Sequence, residues 1–152
     1  MELIREITFD DFQISTDKSK LDLAFIHHYL CFESYWAKNI PLDILKAAIE
    51  NSLCFGIYHE QHQIGFARLI TDYATFGHLA DVFVVDPYKG KGLGKKLIEF
   101  ILATDCIKYF RRITLGTQDA HSLYAKFGFT PLKVPERFME LHQPDVYKSI
   151  KN

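Results

Sequence analysis

Cysteine is scarce in this chain of 152 residues, which has three: Cys31, Cys54 and Cys106. Their number is odd, they lie far apart and none belongs to a C-x-x-C pair, so we predict neither a disulfide framework nor a zinc site. We interpret all three as reduced and mostly buried, because a free cysteine behaves as a small hydrophobic residue. The histidines do not recur at metal-ligand spacings either, so no metal is predicted.

Long apolar runs are also missing. No window approaches the roughly eighteen apolar residues of a membrane span. The first residues, MELIRE, lack the basic-then-apolar order of a secretion signal. The net charge of −1 offers no general attraction to nucleic acid or to anionic membranes. These absences predict a cytoplasmic protein with no membrane partner and no nucleic-acid partner.

The chain does have the material for a packed core. It is 48% hydrophobic and 14% aromatic, and its length suits a single domain over residues 1–152. The apolar periodicity predicts helices from Lys20 and Pro41, a helix over 93–102 and a helix over 119–127. It predicts strands at 11–15, 53–58, 64–70, 79–85, 112–115 and from 129 to 141. This order is typical of an α/β fold, a mixed central sheet with helices on both faces.

The spacing in the first helix predicts which of its faces is buried. Apolar residues recur at steps of three and four, which assigns one face to Leu21, Ala24, Phe25, His28 and Phe32. The two-helix segment before the sheet should pack through that face.

The most informative stretch is residues 82–98, which read as an apolar strand, a basic glycine loop and an amphipathic helix. Gly90, Gly92 and Gly94 have no Cβ, so the backbone can turn tightly and direct its N–H groups at an anion. The helix that follows adds the positive end of its dipole. The surrounding charge comes from Lys89, Lys91, Lys95 and Lys96. Together they predict a phosphate-binding loop.

Spacing excludes two familiar phosphate loops. A Walker loop needs one residue more between Gly90 and the Gly94-Lys95 pair, and a dinucleotide loop needs glycine at Lys95. The remaining pattern, KGKGLG over 89–94, resembles the pyrophosphate loop of the GNAT superfamily of acyl-CoA N-acyltransferases. A second segment, TQDAHSLYAKFGFTP over 117–131, resembles the other signature of that family. The resemblance covers about residues 12–140.

The resemblance implies a single-domain GNAT-like fold that uses acetyl-CoA as acyl donor and transfers acetyl to a primary amine by direct attack. The backbone of Val82 and Val84 would pair with the pantetheine amides. The pyrophosphate would lie on Lys89, Gly90, Lys91, Gly92, Leu93, Gly94 and Lys95. Two positions depart from the family pattern. Lys89 stands where Arg or Gln is usual, and Thr117 stands where many relatives have a cofactor-contacting Asn.

Two residues are predicted to be catalytic. The resemblance implies that Tyr124 is the general acid that protonates the departing CoA sulfur. The alternative is that it only packs, since it shares a helical face with other apolar residues. Asp81 is the predicted base, because a carboxylate inside an apolar strand is costly to bury; alternatively, it pairs with Arg68. Further candidates for the base are His78, Asp119 and His121, of which Asp119 could instead cap a helix.

Aromatic residues around the first helix break are predicted to form the acceptor wall. In the resembling family this connection lies over the acyl-accepting site, so we predict substrate contacts from Glu33, Tyr35 and Trp36, with cation–π attraction to an amine. Phe32 and Tyr29 could belong to this wall, or Phe32 could be a hydrophobic plug between helices.

Two expectations concern partners and class. The acceptor is a small-molecule or peptide amine that the sequence does not name, and relatives that pair through late strands imply a homodimer. The rival function is a CoA-binding sensor or interaction module of the same fold that keeps the loop but catalyses nothing.

Overall fold

The computed structural model describes residues 3–150. Six strands form one sheet: β1 (Glu6–Phe9), β2 (Phe12–Ser15), β3 (Leu53–His59), β4 (His62–Thr71), β5 (Phe76–Val84) and β6 (Arg112–Leu115). Four α-helices accompany them: α1 (Leu23–His28), α2 (Leu42–Glu50), α3 (Leu93–Leu102) and α4 (His121–Ala125). No helix within the described range has the length and apolarity needed to cross a bilayer.

Strand order in the sheet follows the sequence from β1 to β6. The first five strands are antiparallel to their neighbours, whereas β6 runs parallel to β5. A parallel pair needs a crossover connection, and α3 supplies it. The predicted strands 53–58 and 64–70 leave five residues between them, but the turn is only two residues long. Glu60 and Gln61 both have positive φ (50° and 72°), as a two-residue hairpin turn requires.

Apolar clusters lie on both faces of the sheet. On one face, Leu97 and Ile101 of α3 pack against the sheet residues Phe55 and Leu79. On the other face, α1 and α2 pack against a second group of sheet residues that includes Phe66. The predicted mixed sheet with helices on both faces is therefore confirmed.

The predicted face of the first helix is only partly correct, because Leu21 and Phe25 pack against the cluster beneath α1 but its other three residues are exposed. Ile26 and Leu30 are fully buried, whereas Phe32 is 67% exposed and Ala24 and His28 are exposed. The α-helix ends at His28 and continues as a π-helical turn over Tyr29–Glu33. The mismatch begins within the regular α-helix, where Ala24 and His28 are exposed and Ile26 faces the core, so the π turn does not explain it. Because it is exposed, Phe32 is not the hydrophobic plug that one alternative proposed.

The strand predicted over 129–141 does not form. No strand follows Leu115 in the described part of the chain, where the later segments are short 3-10 turns at Pro135–Arg137 and Val146–Ser149. Pro131 and Pro135 have no N–H to donate to a ladder, which disfavours a strand in this segment. The segment contacts β6 through a side chain instead of a strand ladder: the Arg112 guanidinium lies 4.6 Å from the centroid of the Phe138 ring.

A β-bulge in β5 positions the candidate site. Phe66 pairs with Phe83 and Arg68 pairs with Ala80, so two β5 residues lie opposite one β4 residue. Asp81, inside the bulge, has a φ of +54°. The extra residue reverses the alternation of side chains, so Leu79 belongs to the apolar cluster beneath α3 and Phe83 to the cluster beneath α1.

The pairing of β5 with β6 stops just before this bulge. The last paired residues are Leu79 and Leu115, and the chain leaves the sheet at Gly116. From Ala80 to Val84, β5 has a partner on the β4 side but no neighbouring strand on the β6 side within the described residues. The two strands therefore part into an open cleft.

Candidate functional site

A cleft of about 1120 Å³ lies where β5 and β6 part. The residues predicted for the site come from positions 33 to 124, yet all except Lys91 line this one cleft. The predicted residues that line it are Glu33, Tyr35, Trp36, Asp81, Val82, Val84, Lys89, Gly90, Gly92, Leu93, Gly94, Lys95 and Tyr124. The fold thus brings the two sequence motifs and the aromatic connection together.

The glycine loop has the backbone of an anion site. Gly90 and Gly92 have φ values of +79° and +77°, in the region that favours glycine, and no atom lies within 4 Å of where a Cβ would stand on either. Gly92 is also the N-cap of α3, a helix of ten residues. The first N–H groups of a helix have no partner inside it and carry partial positive charge, so this end suits a phosphate.

Lys89 supplies a positive charge beside the loop. Its Nζ lies 2.8 Å from Oδ1 of Asp86, and both side chains are exposed. The hydrogen bond with Asp86 raises the pKa of Lys89, so the ammonium remains charged at neutral pH. An exposed pair of this kind is weak enough for an incoming anion to compete with it.

Lys91 lies outside the cleft. Its Nζ stands 5.7 Å from the centroid of the Tyr88 ring, and the residue lines a smaller cavity of about 270 Å³ with Phe9 and Phe12 of the first hairpin. The chain turns at Gly90 and Gly92 on either side of Lys91, which separates its side chain from that of Lys89. Its predicted phosphate contact stays a prediction.

The unpaired edge of β5 offers free backbone groups. Val82 and Val84 are half-buried and lie in the part of β5 that has no strand on the β6 side. Backbone N–H and C=O groups need partners, and an extended ligand with amides can pair with them as an added strand does.

Tyr124 both packs and faces the cleft. Its ring is 7% exposed and stands nearly edge-on to Phe129, with 5.7 Å between ring centroids. Burial, followed by the neighbouring Tyr35 and Asp119, raises the pKa of Tyr124. The phenol therefore keeps its proton at neutral pH, which is the state a general acid requires. The packing alternative is confirmed as a contact, and it is compatible with the acid role.

Asp81 is held by two side chains. Arg68 Nε donates to Oδ2 at 2.6 Å and Trp36 Nε1 donates to Oδ1 at 2.9 Å. Arg68 also donates from Nη1 to Ser52 Oγ at 3.0 Å. The Asp81 side chain is only 8% exposed and that of Arg68 16%. The alternative prediction, that Asp81 pairs with Arg68, is confirmed.

The aromatic connection is attached to both sides of the cleft. Trp36 is bonded to β5 through Asp81, and the Tyr35 hydroxyl accepts a hydrogen bond from the backbone N–H of Gln118, at 2.9 Å, in the loop between β6 and α4. The Tyr35 and Trp36 rings meet edge to face with centroids 4.9 Å apart. Tyr29 stacks on Phe83 at 3.8 Å. The wall therefore spans the opening between the two strands.

Sequence reasoning missed several residues of the cleft. Thr114, which contacts the cleft residue His78 without lining the cleft itself, was not singled out, yet its Oγ1 lies 2.7 Å from Nδ1 of His78. Leu115 and Gly116, which precede the second motif, also line the cleft, as do Gln118 and Lys126, which lie inside that motif but were given no role. The cross-strand register that pairs His78 with Thr114 is the only signal that finds such a contact, and it requires the fold.

The start of α4 also differs from expectation. Ala120, not Asp119, is its N-cap, and Thr117 Oγ1 accepts a hydrogen bond from the Ala120 N–H at 3.0 Å. Thr117 thus orders the loop that enters the helix. In the described residues, no three His, Cys, Asp or Glu side chains are grouped as metal ligands are.

Comparisons with known proteins agree with this site. Residues 50–131 match the family model for the acetyltransferase (GNAT) domain. A crystal structure from Xanthomonas campestris pv. campestris, described as belonging to the GNAT family, is 43% identical with a TM-score of 0.90, covering 93% of this chain and 100% of that one. A Gibberella zeae protein with an inferred acetyltransferase activity is 31% identical over 78% of each chain.

A more distant structure shows the fold with its donor. A GNAT acetyltransferase from Elizabethkingia anophelis with acetyl-CoA bound has a TM-score of 0.61 at 14% identity, covering 87% of this chain and 88% of that one. The family model covers more than half of the described chain and includes both motifs that line the cleft. This chain therefore belongs to the GNAT acetyltransferase family.

Proposed function

We propose that the protein transfers an acetyl group from acetyl-CoA to a primary amine by direct attack of the amine. One observation carries the proposal: the free backbone of β5 runs from the glycine loop toward Tyr124 and the aromatic wall within one cleft. A CoA thioester needs three things along its length. Its amides need backbone groups to pair with, its pyrophosphate needs an anion-binding loop, and its sulfur needs a proton donor.

The residues present fit the donor. An extended pantetheine arm could pair with the backbone of Val82 and Val84, because no strand occupies that edge. Its pyrophosphate could accept hydrogen bonds from the N–H groups at Gly90, Gly92 and the start of α3, with Lys89 and Lys95 supplying charge. Acetyl-CoA then supplies an activated acetyl carbonyl at the end of the strand where the aromatic wall begins.

The reaction needs one proton removed and one supplied. A neutral amine attacks the carbonyl carbon, the C–N bond forms and the C–S bond breaks. The departing sulfur takes the proton of the Tyr124 hydroxyl, and the phenolate regains one from the nitrogen through solvent. Asp81 stays a prediction for the base that first deprotonates the ammonium. The two hydrogen bonds that its carboxylate already accepts argue against that role.

The acceptor is proposed to be a cationic amine. Tyr35 and Trp36 present aromatic rings to the cleft, and Glu33 adds an exposed negative charge beside them. Aromatic faces and a carboxylate attract an ammonium group before it loses its proton. GNAT acetyltransferases act on small-molecule or peptide acceptors, and both kinds can carry such a group.

Oligomeric state and location stay predictions. A homodimer would be expected to use late strands, but residues 129–141 form none in the single chain described. Sedimentation of the purified protein would show whether a second copy is present, and fractionation of cells would test the cytoplasmic location.

The first test is thermal unfolding of the protein with acetyl-CoA, CoA, ATP or NAD. A ligand at a hundred times its Kd should stabilise the fold by about 2.7 kcal/mol, or roughly a few degrees in Tm. Stabilisation by acetyl-CoA and CoA alone, followed by thiol release with a panel of amines, is the expected result. Binding without thiol release for any amine would favour the CoA-binding module. A response to ATP or NAD instead would contradict the proposal.

A further inference from the structure

We propose that His78 is the general base that takes the proton of the acceptor ammonium, with Thr114 as the positioning residue that holds its ring. The inference rests on the proposed acetyl transfer and names a residue of the same cleft.

Position is the first argument. His78 lies on β5 directly across from Thr114 on β6, in the second-last pair before the strands part after Leu79 and Leu115. It lines the cleft together with the aromatic wall. The imidazole therefore stands at the closed end of the opening, next to the stretch of β5 proposed to hold the thioester.

Hydrogen bonding is the second argument. Nδ1 of His78 lies 2.7 Å from the Thr114 hydroxyl, and Nε2 has no hydrogen-bond partner among the described residues. If Nδ1–H donates to Thr114 Oγ1, the lone pair lies on Nε2, the nitrogen without a partner. That tautomer is the one a base needs, and the Thr114 hydroxyl can accept the hydrogen bond that it requires.

Electrostatics is the third argument. Desolvation by burial lowers the pKa of His78, the positive charge of Arg68 on β4 lowers it further, and Asp81 on β5 opposes them. Thr114, facing from β6, is uncharged, and the wall adds Glu33, Tyr29 and Tyr35 to the lining of the cleft. A lowered pKa leaves the imidazole neutral at neutral pH, ready to accept a proton.

Asp81 is the less suitable group by comparison. A proton on its carboxylate would displace a donated hydrogen bond from Arg68 or Trp36 and leave the half-buried guanidinium without its counter-charge. We therefore assign Asp81 to positioning: it holds Trp36 and Arg68 beside His78.

The proton balance closes through His78. Nε2 takes one proton from the ammonium, which frees the nitrogen lone pair for attack on the acetyl carbonyl. After the C–S bond breaks and Tyr124 protonates the sulfur, the imidazolium returns its proton to solvent. The net change is one amide, one thiol and one proton released for each ammonium and thioester consumed.

The kinetic test compares His78→Gln with His62→Gln, which changes an exposed histidine at the turn between β3 and β4. For His78→Gln, kcat/KM at pH 7 should fall about a hundred- to ten-thousandfold, the range of general base catalysis. The acid limb of the wild-type profile, set below the ordinary histidine pKa of about 6.5, should disappear. The activity of His78→Gln should recover as the pH approaches the pKa of the acceptor ammonium, because the amine is then neutral without a base. His62→Gln should match the wild type.

A second measurement does not use turnover. Nitrogen-15 NMR of the ligand-free wild type should show the His78 ring titrating below the ordinary histidine range, with the proton on Nδ1 at neutral pH. Thr114→Val should shift that tautomer toward Nε2–H and lower kcat with little change in the KM for acetyl-CoA. A proton on Nε2 in the wild type would overturn the inference even if His78→Gln failed to fold.

The possible failures differ. A His78→Gln variant with wild-type kcat/KM and an unchanged acid limb would overturn this inference and leave the proposed acetyl transfer intact. A wild type that acetylates no amine would overturn the proposed function and this inference with it. Thermal shift with acetyl-CoA should be the same for wild type and His78→Gln, since His78 is not assigned to the donor.

Discussion

The two sides of the cleft are built in different ways. The donor side comes from one contiguous stretch, from Val82 to Lys95, and it relies on backbone groups and glycine conformations. The acceptor side relies on side chains from several elements, joined by the bonds of Trp36 and Arg68 to Asp81 and of Tyr35 to Gln118. A site built from the backbone of a short segment can be recognised as a sequence motif, whereas side-chain contacts between distant elements cannot.

Apart from the His78 substitution described above, the largest effect is expected at Tyr124, where the two sides meet. Tyr124→Phe should lower kcat about ten- to a thousandfold, because it removes the proton for the departing sulfur and keeps the packed ring. Burial raises the pKa of Tyr124, so wild-type activity should be full below that raised value and fall as the pH passes it. The variant should lose this alkaline limb.

Steady-state kinetics across pH measure the effect, and Tyr109→Phe is the matched control, since Tyr109 is 72% exposed and lies outside the cleft lining. An unchanged kcat in Tyr124→Phe would reduce Tyr124 to a packing residue.

The ion pair on the acceptor side should dominate the stability of the site. Asp81→Asn keeps the shape and tolerates the positive φ but leaves Arg68 without a counter-charge, so the free energy of unfolding should fall by about 3 kcal/mol. Urea denaturation measures it.

Asp105→Asn is the control for that ion pair. Asp105 belongs to an exposed pair with Lys108, whose atoms lie 3.8 Å apart, and its removal should change little. Equal losses in the two variants would mean that burial of the Arg68 pair is unimportant.

Two glycine substitutions should distinguish an effect on CoA binding from an effect on stability. Gly92→Ala and Gly128→Ala both place a Cβ on a residue with positive φ (+77° and +93°), and each should cost about 1 kcal/mol of stability. Only Gly92 lines the cleft, so calorimetry should show CoA affinity falling about tenfold in Gly92→Ala. Equal CoA affinity in the two variants would contradict the loop's assignment.

The smallest effect is expected from the wall. Tyr35→Phe removes the acceptor for the Gln118 N–H, a hydrogen bond worth about 1 kcal/mol. The KM of the amine should rise about fivefold, while the KM of acetyl-CoA stays constant. Initial-rate kinetics with both substrates varied would measure the two KM values. An equal rise in the KM of the amine and of acetyl-CoA would contradict the assignment of Tyr35 to the acceptor side alone.

Local patterns predicted most elements and the donor side. The helix over Leu93–Leu102 and the strand over Arg112–Leu115 follow from their periodicity, whereas the motif helix, predicted over 119–127, is shorter and covers His121–Ala125. The strand over 129–141 was wrong because apolar content alone does not reveal that two prolines interrupt the ladder. The face of the first helix was partly wrong because apolar steps of three and four did not distinguish the face of Ala24 and His28 from that of Ile26 and Leu30.

By itself, the sequence determined the family and indicated the glycine loop and the candidate acid, because each is marked by a short run of neighbouring residues. Only the tertiary structure decided where Lys91 lies, that Asp81 is held by Arg68 and Trp36, and that His78 meets Thr114. These contacts join residues 13 to 45 positions apart. Their existence depends on strand register and on one bulge in β5, which sequence spacing does not specify.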